Sequence, residues 1–242
     1  MAVGTRNTER RADALSRERI VGAAVEMLDA AGESGLTFRA LGARLRTGPG
    51  AIYWHVANKS ELLIAATEAV LAGALAGDAV GETPEDAIRA VALGVFDAID
   101  RHPWIGTQLA GAPPPPAMLR IFERIGGQLQ ALGVPAAAQF DSASALRDYI
   151  LGVGGQNAAN ARAVEPGTSR AELLETVSAG WADLDPDEFP FIRSVAGQLR
   201  DHDDREQFRA GIDLILAGIA SLPRTATGGV PRQPASGVRS SP

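Results

Sequence analysis

The sequence predicts an all-α protein, and three observations support that prediction. Apolar residues recur with the helical period, as at Ile20, Ala24, Met27, Leu28 and Ala31, and most later segments follow the same spacing. No segment of the sequence alternates apolar and polar residues in the manner of a half-buried strand. Residues that start and stop helices separate the apolar runs.

The first helix is expected to begin after Ser16, a good N-cap residue, and to stop at Gly32. A second, short helix is predicted at about 38–45, with Thr37 as its N-cap. Leu36, directly before that cap, is placed to pack back on the new helix as a hydrophobic staple.

The third helix should take Pro49 in its first turn, where the missing N–H costs nothing, and should run to about Val56. A fourth helix is expected at about 59–76. Two short helices joined by the turn "RTG", behind a first amphipathic helix, make a helix-turn-helix. Further helices are predicted at about 84–101, 104–111, 116–132, 136–163, 169–182, 187–200 and 204–221.

The third helix carries three large polar and aromatic residues in a row. Ile52 and Val56, four residues apart, should pack inward, which leaves Tyr53 on the side that would face a DNA groove. Trp54 is expected to wedge between this unit and the next helix, and His55 to reach backbone or packing partners.

Lys59, the only lysine of the chain, stands at the start of the fourth helix. There its charge adds to free N–H groups and to the positive end of the helix dipole, which favours an anion such as a DNA phosphate. The alternative interpretation is an αα corner filled by aromatic residues. That alternative leaves the small, bare segment "TGPGA" at the start of the third helix unexplained.

Composition narrows the classes of function. The sequence has no cysteine, so it offers no disulfide, thiol nucleophile or Cys-ligated zinc, which suits a cytoplasmic protein. The sequence contains no apolar run of 18 residues, so it predicts no membrane-spanning helix. The N-terminus lacks the apolar core of a secretory signal. Residues 1–60 carry a net charge of +3 and the remainder −9. A basic N-terminal segment on an otherwise acidic chain is typical of a protein whose N-terminal part faces a polyanion. A charge difference of this size also arises by chance.

The sequence gives little support to an enzyme. "GVGGQN", 152–157, lacks the third glycine and the preceding strand of a nucleotide loop. "DLDPDE", 183–188, has glutamate where the turn of a calcium loop needs glycine. Asp97, Asp100 and His102 fit a solvated helix end better than a metal site. We therefore predict no enzyme, cofactor or metal. An all-α small-molecule-binding protein or enzyme with a coincidental helix-turn-helix stays as the alternative.

The segment "GLTFRALGARLRTGPGAIYWHVANKSELL" resembles the DNA-binding domain of the TetR family of transcriptional regulators, and "YWHVANKSELL" is its most specific part. "QFRAGIDLILAGI", 207–219, is similar to the last helix of the tetracycline-repressor type of C-terminal domain. The resemblance implies a ligand-responsive regulator, most simply a repressor. Its partners would be double-stranded, palindromic operator DNA, a second copy of the chain in a homodimer, and an unidentified small hydrophobic effector.

The resemblance also divides the chain. The expected parts are a flexible basic arm at 1–15, a three-helix helix-turn-helix DNA-binding domain at 16–60, a helical ligand-binding and dimerisation domain at 61–222, and a disordered tail at 223–242. Two helices per subunit, 136–163 and 204–221, would form a four-helix dimer interface. Gly211 and Gly218, seven apart on the second of them, suit a tight helix–helix contact, and a core helix of a monomer is the alternative.

Roles at the DNA follow from position in the family's motif. Thr37 would contact phosphate and Arg39 a base, while Tyr53, His55 and Lys59 would hold the DNA backbone. The full set of predicted DNA-binding residues is Thr37, Arg39, Arg46, Thr47, Pro49, Tyr53, His55 and Lys59.

The sequence departs from the family's pattern at several positions. Arg46 stands where a glycine is usual in the turn. Pro49 and Gly50 stand where tetracycline repressors have base-reading residues, so their operator preference does not transfer. Leu75 replaces a histidine that helps to bind the tetracycline–magnesium complex, so tetracycline is not the expected effector.

The effector pocket is predicted among helices 84–132 and the middle of 136–163. A mainly apolar set with a few amides suits a drug-sized hydrophobic molecule. Ordinary core packing is the alternative for each residue taken singly. The predicted ligand-binding residues are Phe96, Trp104, Gln108, Phe122, Tyr149, Gln156 and Asn157.

Overall fold

The computed structural model describes residues 15–75, 83–111, 114–163 and 169–222. Within these ranges the chain forms helices and no strand, which confirms the all-α prediction. The predicted arm up to residue 14 and the predicted tail 223–242 lie outside the described residues. The helices are α1 (Arg17–Gly35), α2 (Phe38–Arg44), α3 (Pro49–Tyr53), α4 (Lys59–Leu75), α5 (Pro84–Arg101), α6 (Trp104–Leu109), α7 (Pro116–Ala131), α8 (Ala136–Ala163), α9 (Arg170–Ala182), α10 (Pro190–Arg200) and α11 (Asp204–Ala220).

Side-chain caps fix the starts of the N-terminal helices. The hydroxyls of Ser16 and Thr37 each accept a hydrogen bond from the backbone amide three residues later, at 3.2 and 3.1 Å. Asn58 Oδ1 accepts from the third amide after it in the same way, at 2.9 Å. Each bond satisfies a first-turn amide that has no partner inside its helix. The two caps predicted from sequence are confirmed.

Helix α1 is interrupted at Gly32, where the backbone has φ 64° and ψ −170°. Only glycine adopts such angles without strain, because a side chain would meet its own backbone. The interruption lies where the sequence predicted the helix to stop, and one further turn carries the chain to Gly35. The buried Leu36 then leads into the cap of α2.

One hydrophobic core runs through both parts of the molecule. In the N-terminal part, Ile20, Leu41 and Ile52 come from α1, α2 and α3 and are fully buried. In the C-terminal part, Val95 and Ile99 of α5 lie at the centre, because α5 packs against α4, α7, α8 and α11. Helix α4 packs against α1 on one side and α5 on the other, so it joins the two parts.

Helices α9 and α10 form a hairpin whose main packing is between the two helices themselves. The hydroxyl of Ser178 donates a 2.7 Å hydrogen bond to the carbonyl of Ala196 at the buried contact. An ion pair between Arg170 and Asp204 links the hairpin to α11. Phe191, at the start of α10, leaves 73 % of its surface exposed.

Among the described residues, no helix combines the length and the apolar character needed to cross a bilayer.

Candidate DNA-binding face and effector region

Helices α2 and α3 meet at a tight turn. The amide of Thr47 donates a 2.9 Å hydrogen bond to the carbonyl of Gly42, and a Cβ at Gly42 would lie 2.9 Å from the carbonyl oxygen of Thr47. Glycine is therefore required for this close approach. Arg46 adopts a left-handed conformation with φ 54°, so the arginine takes the backbone geometry for which glycine is usual.

The inner face of α3 is as predicted. Ile52 and Val56 are 0 % and 1 % exposed, which confirms that they pack inward. Tyr53 keeps 54 % of its surface exposed, and its ring stacks on Phe38 of α2 with centroids 4.6 Å apart and planes 2° from parallel. The stack fixes the tyrosine from one side and leaves the other side open.

The prediction for Trp54 is wrong. The indole is 90 % exposed and does not wedge between helices. At about 100° per residue, Trp54 lies roughly 200° around the helix from Ile52, and Ile52 already points into the core. The side chain therefore points away from the core, on the same outer side of the motif as Tyr53.

The remaining predicted DNA-binding residues line the outside of the same motif. Thr37, Arg39, Arg46 and Pro49 are exposed, and Thr47 is half-buried. The Thr37 oxygen is engaged as the cap of α2, yet its hydroxyl hydrogen is not needed for that bond.

Lys59 and His55 each share a hydrogen bond with a residue of α1. Lys59 Nζ donates a 2.6 Å hydrogen bond to the carbonyl of Glu33 and lies 3.8 Å from its Oε1. The carbonyl of His55 accepts a 3.2 Å hydrogen bond from the guanidinium of Arg17, which also donates to Glu61 at 3.0 Å. Sequence reasoning missed Arg17, because its partners lie 38 and 44 residues away along the chain.

Glu61 secures the start of α4. Its carboxylate accepts a 2.8 Å hydrogen bond from the amide of Ala57 and a second from Arg17. Both hydrogen bonds lower the pKa of Glu61 below its usual value. The hydrogen bond from the Ala57 amide has the larger effect and the one from the Arg17 guanidinium the next largest. The carboxylate is thus ionised at neutral pH, beside the N-terminus of a helix where negative charge is favoured.

The predicted effector residues fall into separate groups. Phe96 and Tyr149 stack on Phe208 of α11 with centroids at 4.5 and 5.5 Å, and burial raises the pKa of Tyr149. Phe122 meets Phe140 edge-on at 6.1 Å. On α8, Gln156 is exposed and Asn157 is half-buried.

Trp104 and Gln108, two of the predicted effector residues, donate hydrogen bonds to α1. The indole Nε1 of Trp104 donates a 2.8 Å hydrogen bond to Asp29 Oδ1, and His102 Nδ1 lies 2.8 Å from the same oxygen. Gln108 Nε2 donates to Glu33 at 3.3 Å. These contacts join α6, in the C-terminal part of the molecule (the body), to the second half of α1 in the N-terminal DNA-binding part (the head). They therefore connect the predicted effector region to the head.

A cavity of about 930 Å³ lies between α1, α4 and α7, and none of the seven predicted effector residues lines it. Its apolar walls come from Val21, Ile64, Ala65, Ala69, Ala72 and Leu75. No pattern in the sequence indicates this cavity, because its walls come from segments far apart in the chain.

The comparisons with known proteins agree with this geometry. Residues 20–66 match the family model of the N-terminal domain of bacterial regulatory proteins of the tetR family, and residues 79–222 match the tetracyclin repressor-like C-terminal domain.

Individual relatives cover most of the chain. The structure of SCO7222, a TetR transcriptional regulator from Streptomyces coelicolor, is similar at 57 % identity and a TM-score of 0.78, over 86 % of this chain and 99 % of that one. An HTH-type transcriptional regulator of Saccharopolyspora erythraea is 29 % identical, over 86 % of this chain and 85 % of its own length. The class D tetracycline repressor protein of Escherichia coli is 28 % identical, over 84 % and 88 %.

Both domain matches together span most of the sequence, and the relatives are regulators. The helix-turn-helix with its inward Ile52 and outward Tyr53 is the structural counterpart of the first match. The chain therefore belongs to the TetR family of transcriptional regulators, with a C-terminal domain of the tetracycline-repressor type.

Proposed function

We propose that this regulator is a cytoplasmic repressor that binds a palindromic operator as a homodimer and leaves it when a small hydrophobic effector binds. The observation that carries the proposal is the outward face of the helix-turn-helix. Tyr53 and Trp54 are exposed there beside the bare start of α3, while the apolar residues of the same helix point inward. An exposed aromatic pair on a small helix suits contact with phosphate and with thymine methyl groups.

We assign the DNA contacts in two classes. Arg39, exposed near the start of α2, is proposed to read a base edge, with Arg46, Thr47 and Pro49 close to the groove. The other predicted contacts would go to the DNA backbone and would position the motif without reading sequence. These backbone contacts are Thr37, Tyr53, His55 and Lys59.

The homodimer is proposed to form through α8 and α11. Leu214 on α11 is 75 % exposed, and a Cβ at Gly218 would meet no atom of the other described segments within 4 Å. An apolar, open face of this kind is available to a second copy. Two heads on one operator would need half-sites about 34–36 Å apart, or a multiple of that spacing.

The effector is proposed to act through the contact between α6 and α1. A ligand among α5, α6, α7 and the middle of α8 that shifts α6 would disturb the bonds from Trp104 and Gln108 to α1. A coupling of about 1–3 kcal/mol would weaken operator binding about 5–150-fold. By linkage, operator DNA would weaken effector binding by the same factor.

The test of DNA binding is fluorescence anisotropy with duplexes from the DNA that flanks the protein's own gene. Affinity should fall with salt, with a log–log slope near −0.9 per phosphate contact. Lys59→Ala should weaken all duplexes about equally and flatten the slope by roughly one unit, and Arg39→Ala should reduce discrimination between sequences.

The matched control is Arg200→Ala, which removes one exposed positive charge from the end of α10, in the hairpin that packs mainly on itself. Its slope should equal that of the unaltered protein. A protein that binds no duplex above background would instead support the all-α small-molecule-binding protein or enzyme.

The effector can be sought by thermal shift with a panel of hydrophobic antibiotics and metabolites, each with and without operator. The inducer should bind less tightly when operator is present. A ligand that binds equally in both conditions is not the inducer, however tight its binding.

A further inference from the structure

The cavity between α1, α4 and α7 lies at the junction of head and body, and none of the seven predicted effector residues lines it. Its volume of about 930 Å³ is at the upper end of the range for small-molecule sites. Small residues keep it open, because Gly22, Ala69 and Ala72 are exposed along it and a Cβ at Gly22 would meet nothing within 4 Å. Ile64 leaves 39 % of its surface exposed in the same place.

The positive charges of this cavity already have partners. Arg17 donates to Glu61 and to the carbonyl of His55. On α7, Arg120 pairs with the Oε2 atom of Glu68, and Arg124 donates to the carbonyl of Leu75 at the end of α4. An incoming anion would have to compete with each of these contacts.

The negative charges are less fully satisfied. Among the described residues, the Oε1 atom of Glu68 is buried and accepts no hydrogen bond, although its Oε2 atom is paired. Glu123, which also lines the cavity, is exposed and makes no hydrogen bond or ion pair within the described part of the chain. Glu18 also lines the cavity, and hydrogen bonds from its own backbone amide and from the Ser16 hydroxyl lower the pKa of its carboxyl below the usual value.

We propose that this cavity is a binding site for an amphiphilic organic cation, whose apolar part lies on Val21, Ile64 and Ala69 and whose ammonium group donates to Glu68 Oε1. The geometry favours this class of ligand on two grounds. The walls offer exposed apolar surface, and Glu68 Oε1, a buried acceptor without a partner among the described residues, needs a donor. The surplus carboxylates at the rim would attract a cation and repel an anion.

The site would also act on the DNA-binding head, a consequence that rests on the proposed function. Its walls come from α1 of the head, α7 of the body and α4 between them. A bound cation would hold these three helices at one separation. Binding to the isolated protein is measured without DNA, so a failure of the site and a failure of the repressor proposal give different results.

Three probes that differ only in the head group test the proposal: octylammonium, octanol and octanoate, titrated by calorimetry into the full-length protein at pH 7. Octylammonium should bind about tenfold more tightly than octanol, since it adds a charge-assisted hydrogen bond, and octanoate should bind more weakly than both. Equal binding of the three probes, tighter binding of octanoate, or no binding of octylammonium would overturn the proposal.

Two variants locate the site. Ala69→Phe should fill the cavity and reduce octylammonium affinity at least tenfold, whereas Ala30→Phe, on an exposed part of α1 that does not line the cavity, should leave it unchanged. Glu68→Gln should remove the preference for octylammonium over octanol and keep the binding of octanol. Circular dichroism establishes that each variant is folded. Unchanged octylammonium binding in folded Ala69→Phe protein would refute the site.

Discussion

The indole of Trp104 donates a 2.8 Å hydrogen bond to the carboxylate of Asp29, across a sequence separation of 75 residues. The tryptophan begins α6 of the body, and the aspartate lies on α1 of the head. His102 adds a second nitrogen at 2.8 Å from the same oxygen. These two contacts connect the start of α6 directly to the helix that packs behind the DNA-binding motif.

Replacing this indole tests its contribution. Trp104→Phe removes a hydrogen bond to a charged acceptor and leaves a small gap, so the free energy of unfolding should fall by about 1–2 kcal/mol. Urea denaturation followed by circular dichroism measures the change. Trp54→Phe is the matched control, because that indole is 90 % exposed and its loss should matter by less than about 0.5 kcal/mol. Equal effects of the two substitutions would contradict a structural role for the Trp104–Asp29 bond.

The turn of the helix-turn-helix makes a second prediction. Gly42→Ala places a methyl group 2.9 Å from the carbonyl oxygen of Thr47, and relieving that contact should cost about 1–3 kcal/mol of stability and weaken operator binding. Gly73→Ala on α4 is the control, because a Cβ there meets nothing within 4 Å. The control should gain about 0.5–1 kcal/mol from higher helix propensity. Thermal unfolding of both variants would show opposite shifts, and a stabilised Gly42→Ala protein would disprove the close contact.

The pKa of Glu61 leads to a pH-dependent prediction. A carboxyl whose pKa is lower in the folded than in the unfolded state stabilises the fold above its unfolded pKa and loses that contribution as pH falls through the folded pKa. The Ala57 amide and Arg17 lower the pKa of Glu61 from 4.5, so the stability lost in Glu61→Gln should be largest near neutral pH. The difference from the unaltered protein should shrink as pH falls below 4.5. Melting temperatures at several pH values measure it, with Glu123→Gln as control, because Glu123 makes no ion pair with any residue that the structure describes.

Two substitutions on α11 test the dimer. Gly218→Leu and Leu214→Arg alter an open, exposed face of this helix and should convert dimers to monomers in analytical ultracentrifugation. Leu119→Arg on α7 changes a leucine that is 60 % exposed and lies outside the predicted interface, so it should leave the dimer intact. Dimers that survive both α11 substitutions would place the interface elsewhere.

Most of the helices can be predicted from the sequence, because local residue patterns determine where they start and how their apolar residues are spaced. Helix α8 was predicted at 136–163 and is observed as Ala136–Ala163, because its start and its period depend on neighbouring residues. Trp54 was placed wrongly, since size and amphipathic character do not decide orientation when Ile52 already occupies the inward side. The bond between Trp104 and Asp29 could not be foreseen, because contacts between distant helices leave no periodic pattern.

The glycines of α11 show the same limit within one helix. The spacing of Gly211 and Gly218, seven residues apart, predicts that both lie in one tight helix–helix contact. A Cβ at Gly211 would lie 1.9 Å from the hydroxyl of Tyr149, so Gly211 serves the packing of α8 on α11 inside one chain. Gly218 has open space beside it and stays assigned to the dimer by prediction alone.

The hairpin of α9 and α10 has a consequence for how the protein can change over generations. Because its two helices pack mainly on one another, a substitution in their contact disturbs few residues of the head or of α5. Selection on this hairpin can therefore proceed almost independently of selection on DNA recognition. Drift in the surface of α9 and α10 is therefore one route by which a lineage of such regulators can change its associations with little effect on its DNA-binding domain.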